Sequence, residues 1–187
     1  MEYRLNCPVV GDEVKKLRAG DRVLLSGVVY TARDAAHKRL AELIERGEEL
    51  PIPLRGAAIY YVGPTPARPG QVIGSAGPTT SGRVDVYTPA LLELGLKVMI
   101  GKGMRDGGVV EAMVRNEAVY LAAVGGAGAL ISRCVTAVRM VCYEDLGCEA
   151  IRELTVRDMP LIVAVDQYGG DLYEQGPTAY LKSIRGE

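Results

Sequence analysis

Two basic residues lie in local sequences that suit the binding of an anion. Arg33, in TARDAAH, falls in the first turn of a predicted helix, where free N–H groups and its guanidinium could bind one anion together. Lys102 lies between two glycines directly after the apolar segment LKVMI, and ligands of open α/β sheets bind beyond the carboxyl ends of strands. The alternatives are an Arg33 that pairs with a surface carboxylate and a Lys102 that is a solvated turn residue.

A third basic residue, Arg83, ends the segment GPTTSGR, which carries the hydroxyl groups of Thr79, Thr80 and Ser81. Hydroxyl groups at several angles could bind the oxygens of an anion, and the glycines would let the backbone approach it closely. The spacing differs from GxxxxGK followed by Ser or Thr, so the segment is not a Walker loop. An ordinary turn remains the alternative to an anion site.

Three other titratable residues have both structural and catalytic interpretations. His37, the single histidine, would lie one helical turn after Arg33 on the same face, as a structural residue or as a proton carrier. Asp85 and Asp166 could act as acids or bases. For each of them, we expect instead a structural role, either as a cap or in orienting an arginine.

Composition excludes several classes of protein. The 187 residues are 48% hydrophobic and 24% charged, which supplies a sizeable core and argues against disorder. The net charge of −1 produces no global field that would attract nucleic acid or an acidic membrane, so any anion must be held by local charge. The first residues lack the pattern of a signal peptide, and no apolar run approaches the length that spans a bilayer. We therefore expect a cytoplasmic protein.

The cysteines do not have the spacing of a metal site. Cys7, Cys134, Cys142 and Cys148 form no CxxC pair, and the histidine is distant from all of them. We expect them to be small, buried or half-buried residues without disulfides, and we expect no metal ligands in this chain.

Hydrophobic periodicity predicts strands that alternate with helices. One strand is expected at residues 22–30, followed by a helix with Thr31 as N-cap, Asp34 completing a capping box and Gly47 near its end. Further strands are predicted at residues 57–62, 72–73, 96–100, 118–123, 134–142 and 161–166. The sequence therefore predicts one α/β domain over residues 1–187, with a second, antiparallel sheet layered on the first.

Several segments together resemble a known family. TARDAAHKRL, GPTTSGR followed by Asp85, the later IGKG and YLAAVGGAGAL are similar to the C-terminal, β-subunit-like part of class I fumarate hydratases and L-tartrate dehydratases. The resemblance runs from about residue 7 to about residue 173. It implies a swivelling β/β/α three-layer domain with a parallel and an antiparallel sheet.

The same resemblance implies a function and a set of site residues. A 4Fe–4S cluster would be ligated by a separate α subunit, in a larger hetero-oligomer, and its open iron would act as a Lewis acid on the leaving hydroxyl. The resemblance implies that Arg33, Thr80, Arg83 and Lys102 bind the carboxylates of a small dicarboxylate, with Thr79, Arg83 and Lys102 catalytic. Val84 replaces the methionine that is common after the arginine, an apolar exchange without functional weight.

The reaction expected from this resemblance is reversible hydration of fumarate to L-malate, a step of the tricarboxylic acid cycle. Two alternatives remain open. One is the β subunit of an L-tartrate dehydratase, since substrate choice depends on one or two contacts. The other is a non-catalytic, anion-binding regulatory module.

Overall fold

The computed structural model describes residues 1–185, which fold around a seven-stranded sheet of order β1-β2-β3-β4-β5-β7-β6. Strands β1 to β5 pair parallel in sequence order, and β7 pairs antiparallel with β5, with β6 and also with β2. The fold is therefore mixed α/β, as predicted, with both kinds of pairing in one sheet. The strands are β1 (Glu2–Cys7), β2 (Arg22–Thr31), β3 (Ala58–Tyr60), β4 (Val98–Gly101), β5 (Val119–Ala122), β6 (Val135–Cys142) and β7 (Ile151–Val165).

The helices are α1 (Asp34–Glu45), α2 (Thr88–Glu93), α3 (Gly107–Arg115), α4 (Gly128–Ile131) and α5 (Leu172–Arg185). The first three connect β2 to β3, β3 to β4 and β4 to β5 and cover one face of the sheet, whereas Ile131 of α4 packs on the other face. Short 3-10 turns occur at Glu13–Lys16, Ser81–Val84, Ser132–Cys134 and Glu144–Glu149. Within the described part of the chain, no helix combines the length and the apolar character needed to cross a membrane.

The sheet has an apolar cluster on each face. Along β4, Val98 and Ile100 belong to one cluster, whereas Met99 belongs to the other, as the two-residue period of a strand requires. The second cluster includes Tyr61 and Tyr120 and is covered by the apolar sides of α1, α2 and α3. Two aromatic side chains therefore lie beneath the loops that leave β3 and β5.

The start of α1 differs from the prediction, whereas its end agrees with it. Thr31 is the last residue of β2, and its hydroxyl donates to the Ala150 carbonyl and accepts from the Arg152 amide. Arg33 is the N-cap residue, so the predicted cap at Thr31 is wrong because that hydroxyl is bonded near the start of β7. Gly47, at φ +67°, ends the helix. The Gly47 amide donates a hydrogen bond to the Ile44 carbonyl, and the Glu48 amide donates one to the Leu43 carbonyl.

Two predicted strands also need correction. Among the described residues there is no strand at 72–73; instead Pro78 and Thr80 form isolated bridges to Val62 and Lys102. The strand predicted at residues 161–166 is the last part of the 15-residue β7. Neither β1 nor α5 was predicted from the sequence. The first ten residues of β7 were missed because charged side chains interrupt the apolar pattern.

Candidate functional site

The predicted site residues follow the carboxyl ends of neighbouring parallel strands. Arg33 follows β2, Gly63 follows β3, Lys102 follows β4 and Gly125 follows β5. Because β3 lies between β2 and β4, the backbones that carry Arg33 and Lys102 are separated by two strand spacings, or about 10 Å. We call these four loops the carboxyl edge of the sheet.

The hydroxyl-rich turn is bonded directly to the loop that carries Lys102. The Lys102 amide donates to the Thr79 carbonyl (3.2 Å), and the Ser81 amide donates to the Lys102 carbonyl (2.9 Å). Thr80 and Lys102 form a parallel bridge between these two contacts. Residues 79–81 therefore extend the sheet locally beside β4. This places Thr79, Thr80 and Lys102 next to one another although more than twenty positions separate them in the chain.

Arg83 and Lys102 are exposed cations at this edge. Arg83 lies in the 3-10 turn Ser81–Val84, and the Lys102 side chain runs along Gly125, with Nζ 3.9 Å from the point where a Cβ of that glycine would lie. Within residues 1–185, neither side chain forms an ion pair. Both positive charges are therefore available to an external anion.

Thr79 is half-buried, and its hydroxyl is already oriented. Its Oγ1 donates to the Tyr61 carbonyl at 2.8 Å, and its amide donates to the same oxygen at 2.8 Å. The hydroxyl proton is thus directed into the protein. The oxygen lone pairs remain free to accept a hydrogen bond from a ligand.

Arg33 is paired with carboxylates of the chain itself. Its Nη2 lies 3.3 Å from Glu149 and 3.7 Å from Asp34, and its Nε is buried without a hydrogen-bond partner. The other oxygen of Glu149 accepts from the Ala35 amide at 3.0 Å, in the first turn of α1. The carboxylate alternative for Arg33 is therefore observed, at the helix end where the sequence predicts an anion. Gly63 packs against this guanidinium, because a Cβ there would lie 2.7 Å from Nη1.

His37 is fully buried beneath Arg33 and is a structural residue in this chain. Its Nδ1 lies 3.0 Å from the Arg33 carbonyl, and its ring meets the Tyr61 ring edge-on at 5.3 Å. Burial lowers the pKa of His37 to about 4, because the charged imidazolium loses its hydration. The ring is therefore neutral near pH 7 and supports the backbone that carries Arg33.

A buried arginine beneath the edge was missed by the sequence analysis. The Arg105 side chain is fully buried; its Nε donates to Asp85 (2.7 Å), its Nη1 to the Tyr61 hydroxyl (3.1 Å) and its Nη2 to Thr88 (2.9 Å). It also lies over the Tyr120 ring at 5.1 Å. The prediction that Asp85 could orient an arginine is thus confirmed. The sequence did not indicate which arginine that would be.

Asp166 has the capping role predicted for it. Its two carboxylate oxygens accept from the amides of Ala19, Tyr168 and Gly170, at 2.9–3.0 Å. The carboxylate therefore caps the turn after β7 and joins it to the loop before β2.

The described residues offer no ligand set for an iron–sulfur cluster or another metal. Residues 1–185 contain no group of three or more His, Cys, Asp or Glu side chains that could hold an ion. Cys7 is buried, Cys134 and Cys142 are half-buried and Cys148 is exposed. Cys148 therefore departs from the predicted burial of the cysteines, and the four thiols do not form a ligand set.

Two surface cavities flank the carboxyl edge. One, of about 410 Å³, lies on the Arg33 side and is lined in part by Pro64, Ile73, Cys148 and Arg152. The other, of about 420 Å³, is mainly apolar; it adjoins the loop after β5 at Val124 and Ala127 and extends to Glu2 and Arg22, at the starts of β1 and β2. Val124 precedes Gly125, along which the Lys102 side chain runs.

Comparison with known proteins gives a consistent family. The chain is 38% identical over 181 residues to the Methanocaldococcus jannaschii protein named "Putative L(+)-tartrate dehydratase subunit beta", covering 94% of this chain and 92% of that protein. It is 38% identical over 156 residues to the anaerobic class I fumarate hydratase of Escherichia coli strain K12, covering 82% and 28%. It is 33% identical over 168 residues to fumarate hydratase 2 of Leishmania major, covering 89% and 30%.

The chain thus spans less than a third of these two fumarate hydratases and nearly all of the tartrate dehydratase subunit. The family described as Fumarase C-terminus matches residues 1–176, which confirms the resemblance found in the sequence. Because that match covers nearly the whole chain, the protein belongs to the Fumarase C-terminus family.

Proposed function

We propose that this chain is the β subunit of a two-subunit hydro-lyase, a fumarate hydratase that interconverts fumarate and L-malate. One observation carries the proposal. Two exposed cations, Arg83 and Lys102, adjoin the hydroxyl-rich turn of residues 79–81 at the carboxyl edge, in a chain of the Fumarase C-terminus family.

Hydration of a double bond between two carboxylates creates a charge that these cations could stabilise. When hydroxide adds at one carbon, negative charge develops at the neighbouring carbon and spreads onto the adjoining carboxylate oxygens. Cations aimed at those oxygens stabilise the transition state more than the ground state. We assign this catalytic role to Arg83 and Lys102, and we assign binding of the substrate carboxylates to Arg33 and Thr80 as well.

Thr79 is our candidate for proton transfer at the neighbouring carbon. Its hydroxyl donates to the Tyr61 carbonyl, so its oxygen is fixed beside the Lys102 backbone. Nearby cations would favour the alkoxide form that such a transfer requires. A role in orienting the substrate is the alternative for this residue.

A cluster-bearing α chain completes the proposed enzyme. The M. jannaschii relative is named a β subunit, and the chain accounts for less than a third of the fumarate hydratases that it matches. Exposed apolar side chains on or just after the loops of the carboxyl edge would be covered by such a partner. These are Val86, Met104, Val124 and Leu130, at 77%, 57%, 60% and 56% exposure.

We further propose that the α chain ligates a 4Fe–4S cluster, and that the present chain closes over it as a swivelling β/β/α domain comprising residues 1–187. We propose that the assembled enzyme is a larger hetero-oligomer, that it is cytoplasmic and that it acts in the tricarboxylic acid cycle.

L-tartrate dehydration is the second candidate function. It is supported by the relative of which this chain covers 92%, which is named for tartrate rather than fumarate. The cationic residues proposed for fumarate would serve a tartrate carboxylate equally well. Contacts to the additional hydroxyl group would have to make the distinction.

Anaerobic co-purification with the α chain, followed by turnover assays on fumarate, L-malate and both tartrates, tests the proposal. Arg83→Ala should assemble normally and lose about a hundredfold in turnover, the usual effect of removing one transition-state contact. Arg157→Ala is the matched control: it removes an exposed arginine that lies on β7, and it should retain turnover. Turnover of Arg83→Ala near that of the wild type, in an assembled complex, would show that the carboxylate-binding assignment is wrong.

A further inference from the structure

The buried guanidinium of Arg105 connects the Lys102 loop to the turn that carries Arg83. Arg105 lies three residues after Lys102, and its Nε donates to Asp85, two residues after Arg83. The second oxygen of Asp85 accepts from the Asp106 amide at 2.8 Å. One carboxylate thus holds both a side chain and a backbone group of the loop between β4 and α3.

The remaining contacts of Arg105 fix the guanidinium in one orientation. Its Nη1 and Nη2 donate to the hydroxyls of Tyr61 and Thr88, which lie on different elements of the fold. Arginine presents its donors in a rigid planar fork, so three contacts in different directions define its position. A lysine at the same place could not make these contacts together.

A neutral hydrogen-bond chain joins the same two segments at a second point. The Ser81 and Tyr120 hydroxyls lie 2.8 Å apart, and the Tyr120 hydroxyl also lies 2.9 Å from the Gly103 carbonyl. The Gly103 amide donates to the Tyr173 hydroxyl at 3.0 Å. Ser81, two residues before Arg83, and Gly103, directly after Lys102, are therefore anchored by tyrosine hydroxyl groups.

We propose that Asp85 and Arg105 are positioning residues, which hold the Arg83 and Lys102 cations at a fixed separation for a dicarboxylate substrate. Arg105 cannot contact the substrate itself, because its side chain has no exposed surface. It acts through the loop that it anchors. This inference rests on the proposed function only for the identity of the substrate, because the connection between the two segments is a property of the chain alone.

Hydrogen exchange in the isolated full-length chain tests the connection without any enzyme assay. Asp85→Asn removes the charge and keeps the shape, so the amides of Ser81, Lys102 and Asp106 should exchange about tenfold faster. Asp166→Asn is the matched control, because Asp166 and Asp85 are similarly buried, at 4% and 7% exposure. Among the described residues, Asp166 accepts from the amides of Ala19, Tyr168 and Gly170 and forms no hydrogen bond to the Lys102 loop. Unchanged exchange at Ser81 and Lys102 in Asp85→Asn would overturn the inference.

A buried arginine without its carboxylate can unfold the chain, so milder variants are needed. Tyr61→Phe removes one neutral partner of Arg105 and leaves the ion pair intact. Thr88→Val removes another, and with it the hydrogen bond from the Thr88 hydroxyl to the Val84 carbonyl in the Arg83 turn, so Tyr61→Phe is the cleaner variant. Each should accelerate exchange of the same three amides by a few fold while the chain stays folded. If the amide exchange of both variants equals that of the wild type, Arg105 does not anchor the loop.

Kinetics of the assembled complex then test the consequence for the reaction. Arg105→Lys should raise KM and lower kcat, about a hundredfold in kcat/KM, because misplaced groups lose that much in rate. Asp166→Asn should keep both constants at wild-type values. If KM and kcat are unchanged in Arg105→Lys while Lys102→Ala loses most of its turnover, the positioning role of Arg105 is wrong and the proposed function still holds. Wild-type turnover in Lys102→Ala, with altered exchange in Asp85→Asn, would instead refute the proposed function and leave the structural connection established.

Discussion

Nη2 of Arg33 lies 3.3 Å from Oε1 of Glu149, in the 3-10 turn before β7. The other carboxylate oxygen of Glu149 accepts from the Ala35 amide, so one carboxylate contacts both the guanidinium and the N-terminus of α1. A helix N-terminus and an arginine are the donors that bind an external carboxylate. Glu149 therefore occupies the Arg33 guanidinium, a donor that we assign to the substrate.

Replacement of Glu149 by Gln should strengthen substrate binding. The variant removes a negative charge beside Arg33, and a partly exposed ion pair contributes up to about 1 kcal/mol. We expect KM for fumarate to fall about two- to fivefold, with kcat little changed, in steady-state assays of the assembled complex.

Glu153→Gln is the matched control, because Glu149 and Glu153 have the same side-chain exposure of 23% and each pairs with an arginine. Its KM should equal that of the wild type. A rise in KM in Glu149→Gln would instead mean that Glu149 holds Arg33 in its binding position.

Stability should fall in mild acid because of His37. The pKa of His37 is about 4 in the folded chain, against about 6.5 in an unfolded chain, so the unfolded state binds more protons between these values. The stability contribution is complete above pH 6.5 and is lost as the pH falls towards 4, a loss of about 3 kcal/mol. Urea unfolding of the full chain between pH 7 and pH 4 measures it.

His37→Gln isolates this contribution, since His37 is the single histidine and glutamine does not titrate. The variant should lose less stability than the wild type over the same pH interval. Parallel losses in the two proteins would show that carboxylates, and not the buried imidazole, cause the acid sensitivity.

Replacement by alanine should have different effects on stability at Gly101 and at Gly107. A Cβ at Gly101 would overlap Ser81 Oγ and lie 2.8 Å from the Tyr61 ring, so Gly101→Ala should destabilise the chain by about 1–3 kcal/mol. A Cβ at Gly107, in the first turn of α3, meets nothing within 4 Å, so Gly107→Ala should be neutral or stabilising by up to about 1 kcal/mol. Thermal unfolding compares them, and equal stability of the two variants would contradict the close packing of Gly101 against Ser81.

The four cysteines should differ in reactivity. Cys148 is exposed, whereas burial raises the pKa of Cys7 to about 12 and also raises the pKa values of Cys134 and Cys142. Because the thiolate is the reactive form, dithiodipyridine should modify Cys148 first and Cys7 only on unfolding. Peptide mapping after brief exposure identifies the modified residue. Early modification of Cys7 would show that β1 opens readily.

Local features of the chain could be predicted from sequence because they depend on residues close to one another. The apolar segment before Lys102 predicted a strand that ends at a loop, and the glycine at position 47 predicted the end of α1, where the structure has it at φ +67°. The start of α1 was misplaced because the Thr31 hydroxyl is bonded to residues near the start of β7, far away in the sequence.

The sequence by itself determined the family, the alternation of strands and helices, and the local segments in which Arg33, Arg83 and Lys102 lie. Only the tertiary structure decided the partners of the buried and half-buried charges, Asp85 with Arg105 and Glu149 with Arg33. The physical reason is that such pairs form between segments that sheet order brings together. No local pattern of residue types records which distant carboxylate a given arginine will meet.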